Sequence, residues 1–100
     1  MSEGLRWLER HTAHAPPVLR DRVLHYAGAP MAGELPVHLA EAGVRALASV
    51  EKHPGDRSAA LDLLAADALV TLALLAQAQA DASKLHAFAG TMLRRATSTP

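Results

Sequence analysis

The sequence predicts an all-α fold, a small bundle of four to five helices around a central Ala/Leu-rich helix at about residues 57–81. Ala and Leu, which make up most of this central stretch, are strong helix formers. The stretch is too long for a strand, and only Val70 and Thr71 within it are β-branched. Proline and glycine lie between the other apolar stretches, where they end one helix and begin the next. One hundred residues arranged in this way predict a single helical domain.

The central helix carries large aliphatic residues on two opposite sides. At about 100° per residue they fall into two rows. A helix that is apolar on two sides lies between other elements or in a membrane. We therefore expect both rows to be covered by other helices of the chain or by a second copy. The rows are Leu61, Leu64, Leu72 and Leu75 on one side, and Leu63, Val70 and Leu74 on the other.

Two seams separate these rows. One seam carries small residues beside Asp62, namely Ala66, Ala73 and Ala80, which would let another backbone come close. The other carries Asp67 and Thr71, which are neighbours on the helix surface because they are four residues apart. A buried Asp67 would need a partner, since an unpaired buried carboxylate is costly. Three interpretations of Asp67 follow. It is a structural carboxylate with a partner, or it is exposed to solvent, or, with Thr71, it is the polar anchor for a ligand or a partner helix.

The remaining helices are predicted from caps and apolar spacing. Ser2 is the expected cap of the first helix, and prolines open the second and third. Gly43 lies inside the third helix, where glycine costs about 1 kcal/mol relative to alanine, so it predicts a close helix crossing. The predicted ranges are 2–13, 17–27, 36–52 and 83–96.

The end of the central helix is open to two interpretations. No Gly or Pro separates it from the last apolar stretch, so a single helix over residues 57–95 is the alternative to two helices. We predict a break near Ala82, with Ser83 as the cap of the last helix. Phe88 and Met92 repeat at helical spacing there and are candidate interface anchors. Trp7, at the edge of the first helix, either packs into the core with its N–H bonded or anchors an interface.

Composition excludes several classes of protein. The formal net charge is zero, which gives no electrostatic basis for binding nucleic acid or anionic lipid. The absence of cysteine excludes disulfides, thiolate nucleophiles and cysteine zinc sites. No apolar leader is present in residues 1–10, so we expect a cytoplasmic protein. The bias towards Ala, Leu and Arg is typical of bacterial genomes of high GC content.

No catalytic constellation is visible in the sequence, so we expect neither enzymatic activity nor a cofactor. No serine has a nucleophile signature, and no glycine-rich loop leads into a helix. The chain has six histidines, of which His11 and His14 would lie on one side of the first helix. A metal would need further ligands from His25, His38 or Glu9, and we expect no metal site because spacing alone is a weak signal.

Three functional hypotheses remain. The first is a small interaction module that forms a homodimer or belongs to a larger protein assembly, with Trp7, Phe88 and Met92 as candidate contacts. The second is a helical bundle that binds an apolar small molecule, with Asp67 and Thr71 at its polar end. The third is a membrane-associated accessory subunit. The carboxylates of Asp62 and Asp67 argue against it, since each costs about 2.5–3.5 kcal/mol near the centre of a bilayer.

Overall fold

The computed structural model describes residues 3–28 and 33–97, and within them the all-α fold is confirmed. The described residues contain no strand. They form five α-helices, with a short 3₁₀ helix at Ala82–Lys84 before the last of them. The helices are α1 (Glu3–His11), α2 (Pro17–Ala27), α3 (Leu35–Lys52), α4 (Arg57–Asp81) and α5 (Leu85–Thr97).

The predicted helix limits agree with the structure to within two residues. Helices α2 and α4 span the predicted ranges, whereas α1 ends at His11 instead of residue 13. Ser2, the predicted cap of α1, lies outside the described residues. The turn before α4 contains Gly55 at φ +80°, a conformation that favours glycine. Asp56 then caps α4, because its side chain accepts a hydrogen bond from the backbone N–H of Ser58 at 2.9 Å.

Helices α3 and α4 form the closely packed centre of the bundle. The close crossing predicted from Gly43 is confirmed. A Cβ on Gly43 would lie 3.3 Å from Val70 Cγ2 and 3.7 Å from the carbonyl oxygen of Ala66. The buried face of α4 is therefore the small-residue seam, which allows the two backbones to approach. Its buried residues are Ala59, Asp62, Ala65, Ala66, Leu69, Ala73 and Ala76.

The other helices of the chain cover the two leucine rows of α4 only in part, since Leu72 and Leu74 pack half-buried against the core. Leu63 and Val70 are exposed on one side, and Leu64 and Leu75 on the other. We expected the rows to be covered by helices of the chain or by a second copy. The helices of the chain alone do not cover them fully, and coverage by a second copy stays a prediction. The physical reason is that α3 packs onto the small residues between the rows, so that the larger side chains flank the contact instead of filling it.

The break between α4 and α5 is confirmed one residue before Ala82. Asp81 has extended backbone angles, φ −163° and ψ 96°. Its Oδ1 accepts hydrogen bonds from the backbone N–H of Ser83 at 3.0 Å and from the Ser83 hydroxyl at 2.6 Å. The cap is therefore Asp81 and not Ser83. Beyond the break, α5 folds back over α3, where Arg95 Nη1 donates to Glu41 Oε1 at 2.9 Å.

Taken across this break, the residues from Arg57 to Thr97 are long and apolar enough to cross a membrane by length and composition. In the most apolar 18 consecutive residues of this stretch, 39% are buried within the chain itself. The core helix of a soluble bundle meets the same criteria of length and composition, so this stretch does not by itself indicate a membrane protein.

Candidate functional site: an aliphatic groove beside the central helix

One row of large side chains on α4 opens into a groove between α3, α4 and α5. We call it the aliphatic groove. It has a volume of about 410 Å³. Residues from all three helices line it, and Asp67 is the one charged residue among them. Its larger lining residues are Val44, Leu47, Leu63, Asp67, Val70, Leu74, Met92 and Leu93.

Several side chains of the groove are unusually exposed for their type. Leu63 is 52% exposed and Leu93, on α5, is 67% exposed. A contiguous exposed aliphatic surface of this kind is typical of a binding site. Single exposed leucines are common and need no explanation. Here, however, the exposed residues of α4 and α5 face the same groove.

A second depression lies on the other side of α5 and continues the aliphatic groove, since both are lined by Ala40, Val44 and Met92. It contains Phe88, and Met92 lies almost buried between the two. The two predicted anchors of α5 therefore lie side by side at this surface. The rim of the second depression carries both signs of charge, from Glu34, Glu41, Lys84 and Arg95.

Asp67 and Thr71 are both exposed on α4. The Thr71 hydroxyl donates to the backbone carbonyl of Asp67 at 2.9 Å, not to its carboxylate. Within the described part of the chain, the Asp67 carboxylate forms no salt bridge. The structure thus places a charged acceptor, without an intramolecular counter-ion, at the lining of an otherwise apolar groove. It does not bring the Thr71 hydroxyl into the groove lining.

Trp7 lies away from the aliphatic groove. Its indole Nε1–H donates to Gln79 Oε1 at 2.8 Å, and its ring stacks on His11 with centroids 3.9 Å apart. It packs half-buried against the core. These contacts join α1 to the last turns of α4. Trp7 also lines a separate depression of about 570 Å³ with Arg6 and Arg10, which shares no residue with the groove.

The best-connected buried polar group is Asp62, and the sequence did not single it out as a site. Only 2% of the residue is exposed. Its carboxylate accepts hydrogen bonds from the Tyr26 hydroxyl and the Ser49 hydroxyl, each at 2.9 Å, and forms an ion pair with Arg22. The position of Asp62 in the small-residue seam could have predicted these contacts. A carboxylate at a close helix crossing is buried, so it needs partners on the neighbouring helices.

The Asp62 cluster is fully paired and therefore structural. Burial raises the pKa of Asp62, but hydrogen bonds from Tyr26, Arg22 and Ser49, together with the Arg22 charge, outweigh it and hold the pKa below its ordinary value. The carboxylate thus stays ionised and joins α2, α3 and α4. Both oxygens of Asp62 accept hydrogen bonds from other helices of the bundle, and only 2% of the residue is exposed.

The histidines are dispersed. His11 stacks on Trp7, and His38 lies with its Nε2 3.0 Å from the carbonyl oxygen of Ala27. Residues 3–28 and 33–97 contain no group of three His, Cys, Asp or Glu side chains able to hold a metal ion. The exposed leucines that share one lining make the aliphatic groove the candidate functional site.

Comparison of the chain with protein-family models, with curated protein sequences and with solved structures finds no match.

Proposed function

We propose that the protein is a small helical protein–protein interaction module that associates with a second copy of itself through the aliphatic groove. The proposal rests on one observation. Leu63 and Val70 of the central helix and Leu93 of α5 are exposed, and all three line the same groove. Burial of such side chains in an interface would stabilise the complex, by about 1.5–3 kcal/mol for each side chain that is completely buried.

The composition of the core supports association. Eight of the thirteen buried apolar residues in the described chain are alanines. A core of small side chains removes little area from water per residue, and a domain of this size is already marginal in stability. Burial of the groove against another protein would add the large aliphatic side chains that this core lacks.

The charges favour a second copy as the occupant. A two-fold interface places the same surface of both protomers together, so that surface must be complementary to itself. The rim beside the groove carries Glu34 and Glu41 together with Lys84 and Arg95. Glu41 and Arg95 already pair with each other within one copy, as do Lys84 and Asp81, so this rim carries little net charge and does not repel the same rim of a second copy. The formal net charge of zero also removes long-range repulsion between copies.

Sedimentation velocity over a dilution series tests this proposal. We expect the chain, of 10.5 kDa, to sediment as a dimer at micromolar concentration. Leu93→Gln should weaken the dimer at least about tenfold, because it places an amide in the apolar interface. Val18→Gln is the matched control, since Val18 is 64% exposed on α2 and does not line the groove. A wild-type protein that stays monomeric at about 100 μM would contradict the proposal, since specific interfaces generally bind more tightly than this.

A second candidate function is favoured by the size of the groove. About 410 Å³ lies within the range of pockets for small molecules, and Asp67 supplies one polar group to an apolar lining. The occupant would then be an apolar molecule with a basic group. Native mass spectrometry of protein purified from its own host distinguishes the two candidates. A bound organic mass on a monomer supports the ligand, and a dimer without added mass supports self-association.

A further inference from the structure

We infer that two copies of the chain exchange their α5 helices, so that α5 of each copy docks on α3 and α4 of the other. In this dimer the break at Asp81 straightens, and α4 and α5 become one helix over residues 57–97. The inference goes beyond the proposed contact through the aliphatic groove, because the partner itself supplies the α5 side of that groove. The structure supplies the docking geometry, since the exchanged α5 takes the position that α5 has within one chain.

The junction between α4 and α5 contains nothing that requires a turn. The sequence has neither glycine nor proline between Gly55 and Gly90, so helix propensity continues through the junction. Among the described residues, positive φ angles occur at Gly33 and Gly55 and not at this junction. The extended angles of Asp81 and the helical angles that would replace them are both ordinary for this residue. By contrast, the turn before α4 contains Pro54 and Gly55, which interrupt helices.

Exposed hydrogen bonds between neighbouring residues hold the break. Asp81 Oδ1 accepts them from the backbone N–H of Ser83 at 3.0 Å and from the Ser83 hydroxyl at 2.6 Å. No residue of the 3₁₀ helix Ala82–Lys84 is buried. A continuous helix would replace these bonds with backbone hydrogen bonds. The break can therefore straighten without exposing core residues at the junction.

Helix α5 is attached to the rest of its chain by a small contact. Among its residues, all of which the structure describes, Met92 alone is buried. Phe88 packs half-buried against the core. Arg95 pairs with Glu41, but the two side chains remain 55% and 42% exposed. A helix held by few buried residues is released by local unfolding at low cost, and the same contacts form again when it docks on a second copy.

The apolar side chains of α4 and α5 suit the exchanged arrangement. In one continuous helix, at about 100° per residue, two apolar sets fall on the same side. They are Leu63, Val70 and Leu74 of α4, and Phe88 and Met92 of α5. Two such helices that run in opposite directions can therefore face each other along this side. Met92 lines the groove with Leu74 within one chain, and the exchanged dimer forms this contact between chains. A two-fold axis at the junction makes both exchanges identical.

Substitutions at the junction test the inference, because they leave the α5 surface and the groove unchanged. Asp81→Ala removes the cap that holds the break and adds a stronger helix former. Ala82 has a φ of −63°, which proline adopts, whereas proline inside a continuous helix removes a hydrogen bond and clashes with the preceding turn. Each exchanged dimer has two junctions, so both effects count twice. By sedimentation velocity, we expect Asp81→Ala to strengthen dimerisation at least about tenfold and Ala82→Pro to weaken it at least about tenfold.

The start of α4 supplies matched controls. Asp56 accepts a hydrogen bond from the backbone N–H of Ser58 at 2.9 Å, the same cap that Asp81 forms with Ser83. Asp56→Ala and Arg57→Pro therefore repeat the two changes at a turn that the exchange does not straighten. We expect both controls to dimerise like wild type. Circular dichroism checks that each variant is folded.

A cross-link between α3 and α5 shows directly whether α5 is exchanged. Glu41→Cys with Arg95→Cys places two thiols where these side chains pair, in a chain that has no other cysteine. A short bismaleimide then joins the two positions. If each chain keeps its own α5, the link lies within one chain and the protein runs as a monomer on a denaturing gel. We expect a covalent dimer instead, in larger proportion when Asp81→Ala is added and in smaller proportion with Ala82→Pro.

The outcomes distinguish the inference from the proposed function. Leu93 is exposed on α5, so Leu93→Gln weakens a dimer that forms through the groove and leaves the exchange intact. A dimer that weakens with Leu93→Gln but yields only monomers after cross-linking overturns the exchange, and the proposed function stands. A cross-linked dimer that responds to both junction variants and not to Leu93→Gln supports the exchange and contradicts the proposed function. If wild type and Asp81→Ala are both monomeric at about 100 μM, both fail.

Discussion

The hydroxyl of Tyr26, on α2, donates a hydrogen bond of 2.9 Å to Asp62 Oδ1, on α4. Asp62 also binds Ser49 of α3 through its second oxygen and Arg22 of α2 through its first. One carboxylate therefore holds three helices at the point where the small residues bring α3 and α4 together. This polar cluster joins the three helices, and the aliphatic groove lies on another side of α4.

Replacement of Asp62 should destabilise the fold. Asp62→Ala leaves the donors of Arg22, Tyr26 and Ser49 without their acceptor. The loss of one partner of a buried pair costs about 3–5 kcal/mol, and we expect about 2–3 kcal/mol here because the Arg22 side chain, at 27% exposed, recovers contact with water. Urea unfolding followed by circular dichroism measures the change. Asp21→Ala, at an exposed aspartate of α2, should change stability by less than about 0.5 kcal/mol.

The same carboxylate predicts loss of stability in acid. The folded protein holds the pKa of Asp62 below its ordinary value of 3.8, so the unfolded chain takes up the proton first as the pH falls. The contribution is complete above the ordinary pKa and is lost as the pH falls through the lowered one. Urea midpoints measured from about pH 7 to about pH 3 should therefore decrease.

Asp62→Asn should flatten this decrease, because the variant has no proton to take up at that position. The pKa of Asp81 is also lowered, first by the hydrogen bond from the Ser83 hydroxyl, and acts in the same direction. Asp81→Asn therefore serves as the comparison for an exposed carboxylate. An equal acid response of wild type and Asp62→Asn would show that Asp62 is not responsible.

The crossing of α3 and α4 should tolerate little added volume at Gly43. Gly43→Leu would place side-chain atoms where Val70, Leu69 and the Ala66 carbonyl already lie. We expect a loss of about 2 kcal/mol in the free energy of unfolding, as is typical of overpacked cores. Gly90→Ala is the matched control within α5, since the atom nearest to the added Cβ would be Nη1 at the flexible end of Arg94, at 3.5 Å. The control should be stabilising by about 0.5–1 kcal/mol, from helix propensity alone.

The fluorescence of Trp7 should not change when the protein associates. Its indole is bonded to Gln79 and stacked on His11, and it does not line the groove. We expect the fluorescence emission maximum of Trp7 to stay unchanged when the dimer is diluted to monomer. A shift that follows the sedimentation data would instead place Trp7 in the interface, which was the alternative interpretation of its position in the sequence.

The helices could be predicted from local features of the sequence. The limits of α2 and α4 follow from prolines, an Asp cap and unbroken Ala/Leu propensity, which act within a few residues and need no tertiary contact. The crossing at Gly43 could also be predicted, because a glycine inside a strong helix predicts the close approach of another element. The break near Ala82 was predicted as well, although the capping side chain turned out to be Asp81.

The buried face of α4 could not be predicted from the sequence, because it depends on how the helices pack against one another. The size of the side chains favoured the leucine rows, since larger residues gain more from leaving water. The structure buries the alanine seam instead, because α3 can approach there and Asp62 finds its three partners. Helix periodicity places residues on faces but does not say which face a neighbour occupies. The position of the groove, and of Asp67 in its lining, therefore depended on the arrangement of α3 and α5 around α4.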